Sequence, residues 1–264
     1  MVATNWIYKA ISLCICIVLF ASLPLYADAQ GSSYCVINAE TLEVLEQSDM
    51  HKRLEMASTT KIMTAIVVLE NIPIDQTVEI LDEYCAVEGS SMHLRPGEIY
   101  SVKDLLMGLM LCSGNDAAIA LACAVAGSAS AFVRIMNEKA RQLKLEDTSY
   151  NNPHGLHDKH HFTSAYDLAI LCSYAMSNSE FCSIVSSKKA VITDLNSQNT
   201  RTVYNKNKFL DMLEGADGIK IGYTTKAGRC LCASASKGEK RLICVIINHY
   251  DWFDKAVYLL KKYF

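Results

Sequence analysis

Helix-like and strand-like segments are unevenly distributed along these 264 residues, and that distribution most constrains the fold. A strand-like pattern marks Tyr34-Cys35-Val36-Ile37, and residues 43–46 are placed to return as its hairpin partner. A long middle then reads as helix: a buried run after Ser58 to about Glu70, then 102–111, 116–126, 131–143 and 164–176. After Ser187 the texture changes. Residues 190–193, 219–223, 230–235 and 242–247 read as strands, closed by a helix from about Asp251. This order predicts an α/β (α+β) chain whose two ends together complete one antiparallel sheet, flanked by helices, with a helical lobe against it. No repeat, low-complexity tract or Pro/Gly-rich linker divides residues 30–264, which are read as one domain.

The N-terminus reads as a targeting segment. Lys9 precedes an apolar stretch over residues 10–23, Pro24 breaks it, and Ala27-Asp28-Ala29 supplies the small residues of a signal-peptidase site. Residues 1–29 are therefore read as a signal peptide, with an uncleaved anchor as the second reading, and the mature chain is expected outside the cytoplasmic membrane. With 51% hydrophobic and 20% charged residues and a formal net charge of −3, the chain carries no basic run, which argues against nucleic-acid binding. Nine cysteines follow the leader, an odd number without metal-ligand spacing; Cys230 and Cys232 form the only close pair. Cys35, Cys123, Cys172 and Cys244 fall in apolar stretches where a thiol behaves as a small hydrophobe. Neither a disulfide scaffold nor a zinc site is expected.

Ser58-Thr59-Thr60-Lys61 sets a hydroxyl and an amine one helical turn apart at the head of the first apolar run. Side chains at i and i+3 share a helix face, so Lys61 Nζ can reach Ser58 Oγ. A serine there also lies at the positive end of the helix dipole, where a developing oxyanion is stabilised. The pattern suits a serine nucleophile with a lysine base; the competing reading is Ser58 as a plain helix N-cap. Two further elements have bland readings of their own. Cys112-Ser113-Gly114-Asn115 interrupts a helical stretch as loop punctuation would. Asp217-Gly218-Ile219-Lys220-Ile221-Gly222-Tyr223 sets a lysine and a glycine on a strand, as a solvated lysine and a bulge would.

Order and spacing change their meaning. Ser-x-x-Lys, then Ser-x-Asn about fifty residues later, then Lys-x-Gly about a hundred after that, is the triple signature of penicillin-recognising serine enzymes. The chain resembles the low-molecular-weight penicillin-binding proteins, the serine-type D-Ala-D-Ala carboxypeptidases, over essentially its whole mature length. The likeness extends through Asn152-Pro153-His154-Gly155-Leu156-His157, Thr163-Ser164-Ala165-Tyr166-Asp167 and Ala227-Gly228-Arg229-Cys230-Leu231. It implies the β-lactamase/penicillin-binding transpeptidase-like fold and a carboxypeptidase domain over residues 30–264. It also implies removal of the terminal D-alanine from peptidoglycan stem peptides on the cell-wall side of the membrane, with β-lactams as covalent inhibitors. Ser58 would be the nucleophile, Lys61 its base and Ser113 the proton relay. Asn115, Lys220, Gly222 and Tyr223 would bind substrate, the backbone N–H groups of Ser58 and Tyr223 forming the oxyanion hole and Gly222 clearing room for the ligand. Burial and the charge of Lys220 would lower the Lys61 pKa. No metal or organic cofactor is implied. His154 and His157 resemble triad members, but the lysine fills the base role, so their turn is read as structural.

One position departs from the family pattern: Ile221 stands where the family usually has Thr, whose hydroxyl helps bind the substrate carboxylate. Reduced activity, or a non-catalytic peptidoglycan- or β-lactam-binding role, is the alternative this raises. A class A β-lactamase would need a Glu-x-x-Leu-Asn loop, and the only Leu-Asn in the interval, Leu195-Asn196, has Ile192 at the glutamate position. By the same resemblance the chain is expected to end with the catalytic domain, without the family's additional β-rich domain and anchoring helix. Its amphipathic last segment, residues 252–264, is expected to pack on the sheet, with peripheral membrane contact as the other reading.

Overall fold

The computed structural model describes residues 31–264; the signal-segment reading lies outside the described residues. The chain opens with the predicted hairpin, β1 (Ser33–Asn38) and β2 (Val44–Ser48). A single 3-10 turn over Ala57–Thr60 runs directly into α1 (Lys61–Asn71). Short elements follow: β3 (Thr77–Glu79), α2 (Asp82–Cys85) and β4 (Ile99–Ser101). The helical lobe continues with α3 (Val102–Met107), a π-helical turn over Gly108–Cys112, α4 (Asn115–Ala126), α5 (Ala129–Gln142), α6 (Ala165–Met176) and α7 (Ser179–Ser186). Ser101, Ser128, Ser164 and Asn178 cap α3, α5, α6 and α7, each accepting from a backbone N–H three residues on. Last come β5 (Lys189–Thr193), β6 (Thr200–Tyr204), β7 (Ala216–Thr224), β8 (Gly228–Lys237), β9 (Lys240–Ile247) and α8 (Trp252–Tyr263).

Both chain ends do complete one sheet. Its order is β2-β1-β9-β8-β7, every neighbour antiparallel, with Ser33 opposite Ile247 where the two ends meet and Lys220 opposite Cys232 at the far edge. Period-two alternation divides its residues between two cores. Cys35, Ile37, Cys230, Cys232, Ile243, Val245 and Ile247 join the core shared with the helical lobe. Tyr34, Val36, Leu231, Ala233, Ala235, Leu242, Cys244 and Ile246 form the second core with Ala256, Leu259 and Leu260 of α8. The last helix thus spends its apolar stripe on the sheet. Among the described residues no single helix is long and apolar enough to cross a membrane.

One sequence reading needs correction. The strand at 190–193 is not part of the main sheet: β5 pairs only with β6, in a separate hairpin that buries one residue from each strand, Ile192 and Val203. With so few apolar positions, neither strand could cover a face of the main sheet. Cys123 is only half-buried, unlike Cys35, Cys172 and Cys244, yet it too packs against the main core. All nine cysteines of the described residues are free thiols, and burial pushes those of Cys35 and Cys230 up to about 12.

Candidate active site

Ser58 sits in the 3-10 turn ahead of α1, and neither the turn nor α1 has a side-chain N-cap hydrogen bond. Ser58 is therefore not the plain cap of the bland reading. The turn is held open by its neighbours. Ala57 has φ of +47°, a conformation that requires external support in a residue with a Cβ. Its carbonyl accepts from Thr60 Oγ1 at 2.8 Å, and Thr60 Oγ1 contacts His161 Nε2 at 2.7 Å. Because His161 Nδ1 accepts from Asn151 N at 2.9 Å, Nε2 is the protonated nitrogen and donates to Thr60. Burial pushes His161 down to about 4, so the ring stays neutral. Gly155 presses on the same carbonyl: a Cβ there would lie 1.9 Å from Ala57 O, and its φ is +95°. The Asn-Pro-His-Gly turn is therefore the buttress of the serine turn.

Lys61 is fully buried, and its Nζ meets three oxygens: Ser58 Oγ at 3.0 Å, Asn115 Oδ1 at 2.7 Å and the His154 carbonyl at 2.6 Å. Burial, then the positive charge of Lys220, hold its pKa well below the usual lysine value; Asp116 opposes the shift but is outweighed. A neutral amine has two hydrogens and one lone pair. Asn115 Oδ1 and the His154 carbonyl can only accept, so they take both hydrogens and the lone pair is left for the Ser58 hydroxyl to donate into.

Asn115 opens α4, and its amide faces inward, with Nδ2 donating to Glu88 O at 2.7 Å. Two residues earlier, Ser113 ends the π-helical turn with φ of +66°; its Oγ is buried without a hydrogen-bond partner among the described residues. Both a π-helical turn and an unsatisfied buried hydroxyl are features that cluster at functional sites. Asp116 is buried and accepts from Met92 N at 3.0 Å and Leu94 N at 3.1 Å, tying the 88–94 segment down beside Asn115. Sequence reasoning placed Asp116 in the first helical turn but missed this anchoring role. It also missed the His154 carbonyl, because main-chain acceptors leave no residue-type signature.

On β7, Lys220 is fully buried; Nζ donates to Ile221 O at 3.1 Å, and burial followed by the charge of Lys206 lowers its pKa to about 7. Gly222 has a packing role of its own. A Cβ on it would meet Ser58 N at 2.9 Å and Ala57 Cβ at 3.1 Å. The glycine is needed so that the strand can lie against the serine turn, whatever ligand follows. Tyr223 is next, its side chain largely exposed. Ile221 packs with the second core, away from the helical lobe. His157 lies apart from the lysine, paired with Glu55 at 2.8 Å. Ile192 is fully buried in the main core, so no base stands at the β-lactamase position.

Edge strand, serine turn and buried amine come together at one candidate active site. The profile of the D-alanyl-D-alanine carboxypeptidase family, peptidase S11, matches residues 21–251, and the chain belongs to that family. It is 35% identical over 224 residues to the D-alanyl-D-alanine carboxypeptidase DacF of Bacillus subtilis, covering 83% of this chain and 57% of that protein. DacD of Escherichia coli is 35% identical over 234 residues, covering 84% of this chain and 59% of that protein. The chain thus spans less than two thirds of the length of these relatives. The crystal structure of a D-alanyl-D-alanine carboxypeptidase from Mycobacterium tuberculosis H37Rv superposes with a TM-score of 0.84 at 28% identity, covering 91% of this chain and 93% of that one.

Proposed function

We propose that this protein is a serine D-Ala-D-Ala carboxypeptidase that trims peptidoglycan stem peptides and is acylated by β-lactams. The observation that supports it most is Lys61: buried, depressed in pKa, and hydrogen-bonded so that its lone pair faces Ser58 Oγ. Ser58 Oγ attacks the carbonyl of the terminal peptide bond while its proton passes to Lys61 Nζ. The oxyanion forms where Ser58 N abuts β7, at the head of α1. As the tetrahedral intermediate collapses, the C–N bond breaks and the departing D-alanine amine takes a proton relayed through Ser113. Water then attacks the Ser58 ester, giving up its proton to Lys61, which returns it to Ser58 Oγ as the ester bond breaks and the shortened peptide leaves. Asn115 positions Lys61, and through the 88–94 segment helps to wall the site. Residues 30–264 act as the catalytic domain and residues 1–29 as an export signal, since the substrate lies on the cell-wall side of the membrane.

The test is paired. The protein should be labelled covalently by a fluorescent penicillin and release D-alanine from a D-Ala-D-Ala peptide, and Ser58→Ala should do neither while keeping its fold. Labelling without D-alanine release would identify a binding protein instead, and undiminished labelling of Ser58→Ala would refute the nucleophile.

A further inference from the structure

The 88–98 segment, between α2 and β4, has no regular structure, yet it fixes the position of Asn115. Asn115 N donates to Ser90 O at 2.7 Å and Nδ2 donates to Glu88 O at 2.7 Å, while Oδ1 accepts from Lys61. Residues 92–94 of the segment are gripped from two sides. On one side the N–H groups of Met92 and Leu94 donate to the Asp116 carboxylate. On the other, Arg201 of β6 holds two carbonyls: Nη1 donates to Met92 O at 2.9 Å and to His93 O at 2.6 Å. Nη2 pairs with Glu98, and the guanidinium lies 5.5 Å from the centre of the Tyr100 ring. His93 has φ of +61°, a conformation that needs such outside support in a residue with a Cβ.

The β5–β6 hairpin that carries Arg201 stands apart from the main sheet, and its other bonds run to the same region. Leu195 N donates to Ile99 O at 2.7 Å, and Ile99 N to Asp194 Oδ1 at 2.9 Å. Lys206 N donates to Leu111 O at 3.1 Å, in the π-helical turn that leads to Ser113. The hairpin is thus a strap across two segments, one leading to Ser113 and one backing Asn115. A planar guanidinium can serve two carbonyls and a carboxylate at once, which a single ammonium on a flexible stem does poorly. Resting on the carboxypeptidase reading, we propose that Arg201 is a positioning residue for acylation. It holds the Met92 and His93 carbonyls so that Glu88 and Ser90 present theirs to Asn115, and Asn115 keeps the Lys61 lone pair toward Ser58. Its own hydrogen bonds go to Met92, His93 and Glu98, so it acts through Asn115.

The experiment measures the rate of acylation by a fluorescent penicillin in a double-mutant cycle of Arg201→Gln and Asn115→Ala, with Arg201→Lys and Glu98→Gln alongside. A displacement of under 1 Å at the reacting atoms is enough for Arg201→Gln to lower the rate by about tenfold. Arg201→Lys should recover part of that loss, and Glu98→Gln, which leaves both carbonyl bonds in place, should stay within about threefold of the parent. A residue that acts through Asn115 has little left to do once Asn115 is gone. Arg201→Gln should therefore change the Asn115→Ala rate by less than about twofold. A full tenfold loss in that background would make Arg201 a general prop and overturn the proposal. So would an Arg201→Gln rate within threefold of the parent, or an equal loss in Glu98→Gln. If Arg201→Gln does not fold, Arg201→Lys carries the same cycle. A parental protein that penicillin does not label refutes the reading on which the proposal rests; a labelled parent with additive losses refutes the proposal alone.

Discussion

Lys220 and Gly222 of β7 meet the serine turn and the helical lobe, while Ile221 between them packs toward α8. The first face is crowded with buried polar groups, each with few tolerable replacements: Lys61 against three oxygens, Asn115 between Lys61 and Glu88, His161 between Asn151 and Thr60. The second face is ordinary close-packed hydrocarbon from Val36, Leu231, Leu242 and Ile246 against α8. A buried polar network is specific because an unpaired member carries its full desolvation penalty, whereas apolar cores accept volume-conserving exchange. Substitutions on the two faces should therefore fail in different ways, the first in chemistry and the second in stability.

Lys61→Met is the largest expected effect. It keeps length and apolar bulk but removes the base, and acylation by penicillin should fall by about 10²–10⁴-fold in stopped-flow or gel-labelling assays. An acylation rate within about threefold of the parent would dissolve the distinction between the faces.

Gly222→Ala comes next. Its new Cβ would lie 2.9 Å from Ser58 N, so strand and serine turn must part. A misplacement of under 1 Å at the reacting atoms should lower the acylation rate by roughly 10- to 100-fold, with thermal stability changed far less. A variant that acylates normally would mean that the turn tolerates displacement.

On the first face acid should act through two buried imidazoles. His154 is pushed down to about 3 and His161 to about 4, in both cases chiefly by burial. Between those values and about 6.5 the unfolded chain binds protons that the folded one does not, so stability falls as pH drops through that window. The sum should be a few kcal/mol by pH 4, read from urea midpoints. His161→Gln, which keeps a donor and an acceptor, should flatten part of the slope; an unchanged slope would remove His161 from the account.

Ile221→Thr is the smallest. On the second face it exchanges packing for a hydroxyl and should cost about 1 kcal/mol of stability. With its side chain on the face away from the serine turn, kcat/KM should stay within about threefold of the parent. A tenfold gain would mean that the added hydroxyl reaches the substrate despite that packing.

Much of this division was legible in the residue order. The short apolar runs at 34–37, 230–235 and 242–247 predict the strands, and the helical block between them predicts the lobe. The i, i+3 spacing of Ser58 and Lys61 predicts their contact, which is 3.0 Å. Short pieces escaped: β3, β4 and α2 are three or four residues long and show no period, and α7 follows α6 after only two residues. The site's supporting geometry was hidden for another reason. The His154 carbonyl is main chain, the Gly222 contact depends on two segments more than 160 residues apart, and Asp116 finds its partners in backbone N–H groups. Such contacts depend on how elements dock, which periodicity within each element does not encode.

At the centre stands Lys61, whose pKa burial and the charge of Lys220 hold well below the usual lysine value. Heteronuclear NMR of selectively labelled lysine would follow the Lys61 side-chain resonances against pH in the unacylated protein. A midpoint far below that of the exposed lysines, with Lys61 neutral at pH 7, is the result expected. A midpoint near 10.5, with Lys61 charged throughout the neutral range, would contradict its role as the base for Ser58.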